Sequence, residues 1–577
     1  MTVPAKIAKT EFASPPRGFQ IRPTGIFREV PDADGKTKWV WLCSHLRVVA
    51  LPRDRAGAGW GRLVEVTDPD GRTHRTTIPA RMFAGDGAEV RVRLQDLGLD
   101  LASDRKSRDA LTDLLQRWKP PARVLTADHL GWTDETCTSF LYGNGSVIGA
   151  GDVVYQDDIT PALAAEMTSA GTIEGWREAV AAQCAGNPLM IGAVSLAFAG
   201  TLLEPLGLDG GGIHLRGASS RGKSTVQRVA VSVWGTPRFL HSWRATANGL
   251  EGVAIACNST LLALDELAEI SGREAGAAAY MLANGTGKAR ANRTGVARAP
   301  VRWRVMVLSS GEITLADKVA EAGMRSAAGQ AVRLLDIAAD GRTHGAFDTL
   351  HGAQDGAAFA HRLRSATAMH YGIAGPTFVA AFIENRQDAI TTARSAIASF
   401  RDLAAQRLNL TNDEGQIIRA TDRFGIIAAA GELATAWGLT GWSPGAAINA
   451  ALDLLGEWIN GRGGNGSAEA REALERVRAF LAAHGDARFQ PVIKADDYRV
   501  VNNRAGWRDG TTFYIATDTW KEIHKGTDPT RAAHHLRDAG LLVPGDGKNL
   551  AKRAPHCIDG RPRVYTVIAN ILGFGDD

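Results

Sequence analysis

Over the first 165 or so residues, apolar and polar positions fall into runs of strand length. "KWVWLCSHLRVVAL" and "GRLVEVTD" read as strands, and "DPDG" at Asp68 to Gly71 is a turn signal ahead of "RTHRTTI". One helix is predicted here, "SDRKSRDALTDLLQRW", with its N-cap at Ser103. Two helical stretches follow, "TIEGWREAVAAQCAG" and "PLMIGAVSLAFAGTLL". From 211 to about 340 short apolar runs alternate with helical segments, the pattern of an α/β sheet. From 355 to about 460 the pattern is helical, as in "FGIIAAAGELATAWG" and "AINAALDLLGEWI". "GRGGNGS" (461–467) is the clearest loop, and the helix "AEAREALERVRAFLAAHG" follows it. The chain then closes with two helices, "TDTWKEIHKG" and "DPTRAAHHLRDAGLLV", and a basic strand pair in "KNLAKRAPHCIDGRPRVYTVI". Helix, helix, basic hairpin is the order of a winged helix-turn-helix. No internal repeat is present.

Composition changes this picture little. The 577 residues are 45% apolar and 22% charged, an ordinary globular balance with room for several cores. A net charge of +4 names no partner, so the distribution of charge has to decide. The five cysteines form no CxxC pair, which argues against a zinc site or a disulfide framework and for a reducing, cytoplasmic setting. "MTVPAKIAKTEF" lacks the apolar core of a signal peptide. The uncharged stretch Pro188 to Leu203 is short for a membrane span and is expected as a buried helix, so no membrane partner is expected.

The chemistry begins after the apolar run Gly212 to Leu215. Gly217-Ala218-Ser219-Ser220-Arg221-Gly222-Lys223-Ser224 fits GxxxxGK(S/T) at every required position, and Thr225 continues it into a helical pattern. Glycines let the backbone curl so that successive N–H groups point at a phosphate, and the helix that follows adds its positive end. Lys223 is positioned for the β- and γ-phosphates of ATP and Ser224 for Mg²⁺. The bland alternative is a glycine-rich turn matching by chance; the strand before it and the helix after it speak against that. Further on, "LLALDEL" ends an apolar strand in Asp265-Glu266, which suits a metal-binding aspartate and a glutamate that polarises the attacking water. An acidic pair capping a helix is the structural alternative.

"WRVMVLSS" is a further strand, and Ser309 or Ser310 at its end is placed to sense the γ-phosphate, with Ser310 the assigned residue. Arg333 stands directly before the apolar run of "GQAVRLLDI", where ring ATPases place the arginine that reaches a neighbouring subunit's γ-phosphate; Arg325 is the competing choice. Between the acidic pair and the sensor strand lies "ANGTGKARANRTGVARAPVRWR". No acid occurs between Glu274 and Glu312, and "NRTG" suits a hairpin turn. Lys288, Arg290 and Arg293 are its candidate DNA contacts, against the plainer reading of a solvated charge run.

Together these strings resemble the family called domain of unknown function 927. They are "HLRGASSRGKSTVQRVAVSVWG", "SWRATANGLEG", "LLALDEL", "NGTGKARANRTG", "LSSGE" and "GQAVRLLDI", flanked by Gly131-Trp132 and "FGIIAAAGELA". The resemblance implies an AAA+ helicase, MCM-like or superfamily 3-like, of plasmids, phages or integrated elements. It implies ATP and Mg²⁺ as cofactors, single-stranded or forked DNA as substrate, a homo-hexamer, and a separate primase as a partner. It matches Lys223 and Ser224 to nucleotide binding, Asp265 and Glu266 to the magnesium and water-activating pair, and Arg333 to the arginine of the MCM "RFD" string. Too little chain separates Lys223 from Asp265 for the helical insert of MCM proteins, and the serine sensor departs from the usual asparagine. The expected layout is a strand-rich α+β domain (1–168), an α/β AAA+ core (169–350), a helical domain (351–483) and a winged-helix-like domain (484–577). Two rival functions stand beside the helicase: an origin-binding initiator whose assembly ATP controls, and a nucleotide-dependent switch or defence ATPase that does not touch DNA.

Overall fold

The computed structural model describes residues 14–31, 34, 36–127, 129–155, 164–288, 300–324, 332–410, 415–462, 468–492, 501–545 and 549–573. Arg290, Arg293 and Arg325, and most of the 461–467 loop, lie outside the described residues. The chain divides into two compact units, one of residues 1–409 and 418–458, the other of 410–417 and 459–577.

The first unit opens with strands, as the alternation predicts. Phe19–Arg22, Gly25–Pro31 and Thr37–Cys43 form an antiparallel three-stranded sheet. "KWVWLCSHLRVVAL" is two strands rather than one, broken at Ser44-His45. The second, Leu46–Arg53, is the centre of a five-stranded mixed sheet with Gly61–Thr67 and Thr73–Pro79 on one side and Arg123–Ala127 and Val153–Tyr155 on the other. The Asp68–Gly71 turn joins two of these strands, with Gly71 at φ +79° and the Asp68 carboxylate accepting from Arg72 N–H at 2.8 Å. The helix predicted at Ser103 spans Arg105–Arg117 and is capped one residue later than expected. Asp104, not Ser103, accepts from Ser107 N–H, because a carboxylate there also meets the helix's positive end. Leu111, Leu114 and Leu115 on this helix pack against Leu42, Val48 and Val64.

The centre of the unit is a five-stranded parallel sheet whose strands we label β1 (Gly211–Arg216), β2 (Leu240–Ser242), β3 (Leu261–Asp265), β4 (Met306–Gly311) and β5 (Leu334–Ala338). Their order across the sheet is β2-β3-β4-β1-β5. The strands read as continuous apolar runs because a parallel sheet is covered on both faces. The helix Pro188–Ala199 is buried at every residue from Leu189 to Ala199. It has no polar stripe because no side of it meets water, which is why its composition mimics a membrane span. Gly131, at φ +85°, lies so close to Asn258 O that a Cβ would sit 2.5 Å away, and Trp132 Nε1–H donates to Thr201 O at 2.8 Å. The expected helices follow from Gly356 to Gly461.

In the second unit, the helix Ala468–His484 contributes Ala473, Val477 and Leu481 to a core shared with Phe513, Trp520, Ala533, Leu536 and Val567. The helices Thr517–Ile523 and Pro529–Asp538 lie within the run of a six-stranded sheet, after its strands Phe489–Pro491, Gly506–Asp509 and Thr512–Ala516 and before Leu542–Val543 and Lys552–Arg553, both of which pair with Arg563–Ile568.

Candidate nucleotide site

β1 ends at Arg216 and the helix Lys223–Val231 begins seven residues later, so the glycine-rich loop lies at the carboxyl edge of the parallel sheet, where such folds bind ligands. Gly222 makes the turn possible: its φ is +101°, and a Cβ would stand 3.0 Å from the Phe347 ring. The helix is pinned to the sheet by Gln227, whose Nε2 donates to Leu264 O (3.0 Å) and Leu308 O (3.2 Å). Its amino end therefore has a set position over the loop. Lys223 is nearly buried, and its ammonium donates to Gly217 O at 2.6 Å and Ala218 O at 2.8 Å. The loop's own carbonyls thus hold the cation inside its curl.

A second segment braces the loop, and the sequence carried no signal for it. The chain after β5 returns beside the loop. Asp340 accepts from Ala218 N–H at 2.8 Å, Ala346 N–H donates to Arg221 O at 2.8 Å, and Phe347 covers Gly222. Only the pairing of β1 with β5 brings these residues together, from Gly212 beside Leu334 to Arg216 beside Ala338.

The acidic pair comes to the same edge. Ser224 Oγ donates to Asp265 Oδ2 at 3.3 Å, and Ser310 Oγ donates to Asp265 Oδ1. Ser310 Oγ also accepts from Glu266 N–H at 3.3 Å. Glu266 sits at φ +58°, a region a β-branched or bulky residue avoids, so the chain turns sharply between the two carboxylates. A hydroxyl and a carboxylate on one side of a site suit a hard divalent cation such as Mg²⁺, which keeps water and phosphate oxygens for its other positions. Among the described residues no cluster of three or more His, Cys, Asp or Glu could hold a metal by itself.

The two serines differ in kind. Ser309 faces into the fold, where it accepts from Trp243 Nε1–H at 2.8 Å and meets His214 Nδ1 at 2.8 Å. His214 Nε2 lies 2.9 Å from Ile313 O. A carbonyl only accepts, so Nε2 carries the proton and Nδ1 accepts the serine hydroxyl. Burial holds the His214 pKa below the ordinary imidazole value, in keeping with that neutral tautomer. Ser310 alone of the pair faces the carboxylates.

Arg333 and the described ends of the basic segment lie at the other edge. Arg333 precedes Leu334, which pairs with Gly212 at the start of β1. About 13 Å of strand separates that point from the glycine-rich loop. The guanidinium stacks on the Tyr280 ring at 4.1 Å, and Nε donates to Asn284 Oδ1 at 2.9 Å. Beside it begins the expected hairpin. Thr286 bridges Arg302 antiparallel, Gly287 N–H donates to Val301 O and Trp303 N–H to Gly285 O, each at 2.9 Å. Lys288 is exposed at the end of this stem.

Residues 19–302 match the family described as Domain of unknown function (DUF927). The matched segment takes in the glycine-rich loop, the acidic pair and most of the hairpin, so the resemblance drawn from those strings is borne out. No curated protein matches the chain. A solved structure described as "SCCmec type IV Cch - active helicase" has the same fold: TM-score 0.70 at 18% identity, over 98% of this chain and 100% of that one.

Proposed function

We propose that this protein is an ATP-dependent DNA helicase of a mobile genetic element, built on an AAA+ core and working as a hexamer. The observation that carries the reading is the meeting of Ser224, Asp265, Ser310 and the Glu266 backbone beside the loop that holds Lys223, at one edge of a parallel sheet, while the described stem of the basic segment stands at the other edge. The central strand order, with β4 between the loop strand and the acidic strand, supports the AAA+ assignment. So does the likeness in fold to a protein described as an active helicase.

In this reading the loop amides and Lys223 hold the β- and γ-phosphates of ATP, and Mg²⁺ held by Ser224 and Asp265 would offset phosphate charge. Glu266 takes a proton from the water that attacks the γ-phosphorus, and the bond to the β,γ-bridging oxygen breaks to release ADP and phosphate. Ser310 holds Asp265 in place and is near enough to respond to the γ-phosphate. Arg333 stands too far from its own loop to assist in cis, so it serves a neighbouring subunit's site. Lys288, Arg290 and Arg293 grip the sugar-phosphate backbone in the ring's pore.

The second reading, an origin-binding initiator, is favoured by the two helices and hairpin of the C-terminal unit, with Arg531 exposed on the second helix. One experiment separates the two. ATPase with and without single-stranded DNA, unwinding of a fork and negative-stain imaging are compared for the wild type and three variants: Lys223→Ala, the triple Lys288/Arg290/Arg293→Ala, and Arg531/Lys552/Arg553→Ala. The helicase reading expects the hairpin triple to lose stimulation and unwinding. It also expects the salt slope of single-strand binding to flatten by about two units. Loss of stimulation only in the C-terminal triple supports the initiator. Wild-type turnover in Lys223→Ala refutes the ATPase.

A further inference from the structure

The three-stranded sheet at the start of the first unit has two unlike faces. Strand alternation and register put Phe19, Ile21 and Ile26 on one face, where they belong to or pack against the core under the helix Arg105–Arg117. The other face carries Gln20 opposite Phe27, Phe27 opposite Trp41, Glu29 opposite Trp39, and Arg22 opposite Gly25. Phe27, Trp39 and Trp41 are half-buried and stand outside the core beneath that helix. Three adjacent aromatic rings on a solvent-facing sheet are a costly way to make a surface, and such patches mark interaction sites.

The face is also organised. The Arg22 guanidinium lies 4.7 Å from the Phe27 centroid and 5.4 Å from that of Trp39, and its Nε and Nη2 donate to Gln20 Oε1 at 3.0 and 2.9 Å. Trp41 Nε1–H donates to Thr24 O at 3.1 Å, which fixes the plane of that indole. Glu29 on this face accepts from the Thr37 hydroxyl at 3.0 Å. Arg17 and Lys36 are exposed nearby, as is Asp34. Flat π-faces topped by a guanidinium plane, with cations at the rim, suit unpaired nucleobases whose phosphates reach the rim.

We propose that this face is a stacking platform for single-stranded nucleic acid, separate from the motor's hairpin. The inference stands independently of the helicase reading. The full chain carrying Lys223→Ala is titrated with a fluorescent oligonucleotide and with a matched abasic one, so that binding is read without hydrolysis. Trp39→Ala is expected to weaken the normal oligonucleotide by about tenfold or more and the abasic one hardly at all. Trp39→Tyr, which keeps a ring, should restore most of the difference. Arg22→Gln, which leaves the rings in place, should weaken base-dependent binding several-fold and guards against misfolding of the tryptophan variant. Equal loss on both oligonucleotides in both variants, or no loss on either, overturns the proposal, as does an abasic strand that binds the parent as tightly as the normal one.

Discussion

Ser309 and Ser310 are neighbours of the same chemistry, and their replacement by alanine should have opposite signatures. Ser309 Oγ is the only link between Trp243 Nε1–H and His214 Nδ1, and all three residues are fully buried. Its removal leaves two buried polar groups to find partners, at about 1–3 kcal/mol each. A loss of about 2–6 kcal/mol is a large part of a domain's net stability. Ser309→Ala should therefore melt well below the wild type, while its ATPase per folded molecule at low temperature stays within about twofold. Ser310→Ala also strips a hydrogen bond from the Asp265 carboxylate and one from Glu266 N–H, so some stability goes as well. The larger effect is that Asp265 is freed to rotate away from Ser224. A displacement near 1 Å at a reacting centre costs on the order of a hundredfold in rate, and kcat should fall by about that much. Thermal melts and steady-state ATPase on both variants decide the matter. Wild-type turnover in Ser310→Ala, or a greater loss per folded molecule in Ser309→Ala, would refute the division of labour.

Glu266→Gln keeps the shape but takes up no proton, so hydrolysis should fall by about 10²–10⁴. ATP should still raise its melting temperature as it does for the wild type, and undiminished turnover removes Glu266 from the catalytic role. Arg333→Ala subunits should bind ATP and hydrolyse it poorly; mixing them with Lys223→Ala subunits should restore activity where a sound loop meets a sound arginine. No rescue at any ratio counts against a shared site. His524 is buried beside Trp520, and burial lowers its pKa to about 4, below the unfolded value near 6.5. The unfolded state therefore binds the proton first as pH falls. Stability of the second unit should be complete above about pH 6.5 and decline towards pH 4, by up to about 3 kcal/mol. His524→Leu should lose that slope in denaturant melts, and an unchanged slope would show that another group sets it.

The candidate site residues were legible along the chain because their logic is local. A phosphate-cradling loop needs its glycines, lysine and serine at set spacing between a strand and a helix, and all of them lie within nine residues. The acid pair at the end of an apolar run, the acid-free basic stretch and the strand, helix and hairpin periods are also short-range signals. Helix ends are local too, but two capping residues stood side by side, and only the backbone showed Asp104 rather than Ser103 at the cap. What the tertiary structure alone decided is long-range. Parallel pairing of β5 with β1 delivers Asp340, Ala346 and Phe347 to a loop more than a hundred residues earlier, and no period or motif announces that. Strand parity sent Ser309 inward to Trp243 and His214 and left Ser310 to the carboxylates. The same pairing set Arg333 at the edge opposite its own loop. Packing likewise drew the helix Ala468–His484 into the core of the C-terminal strands, because its apolar stripe at Ala473, Val477 and Leu481 fits a core but names none.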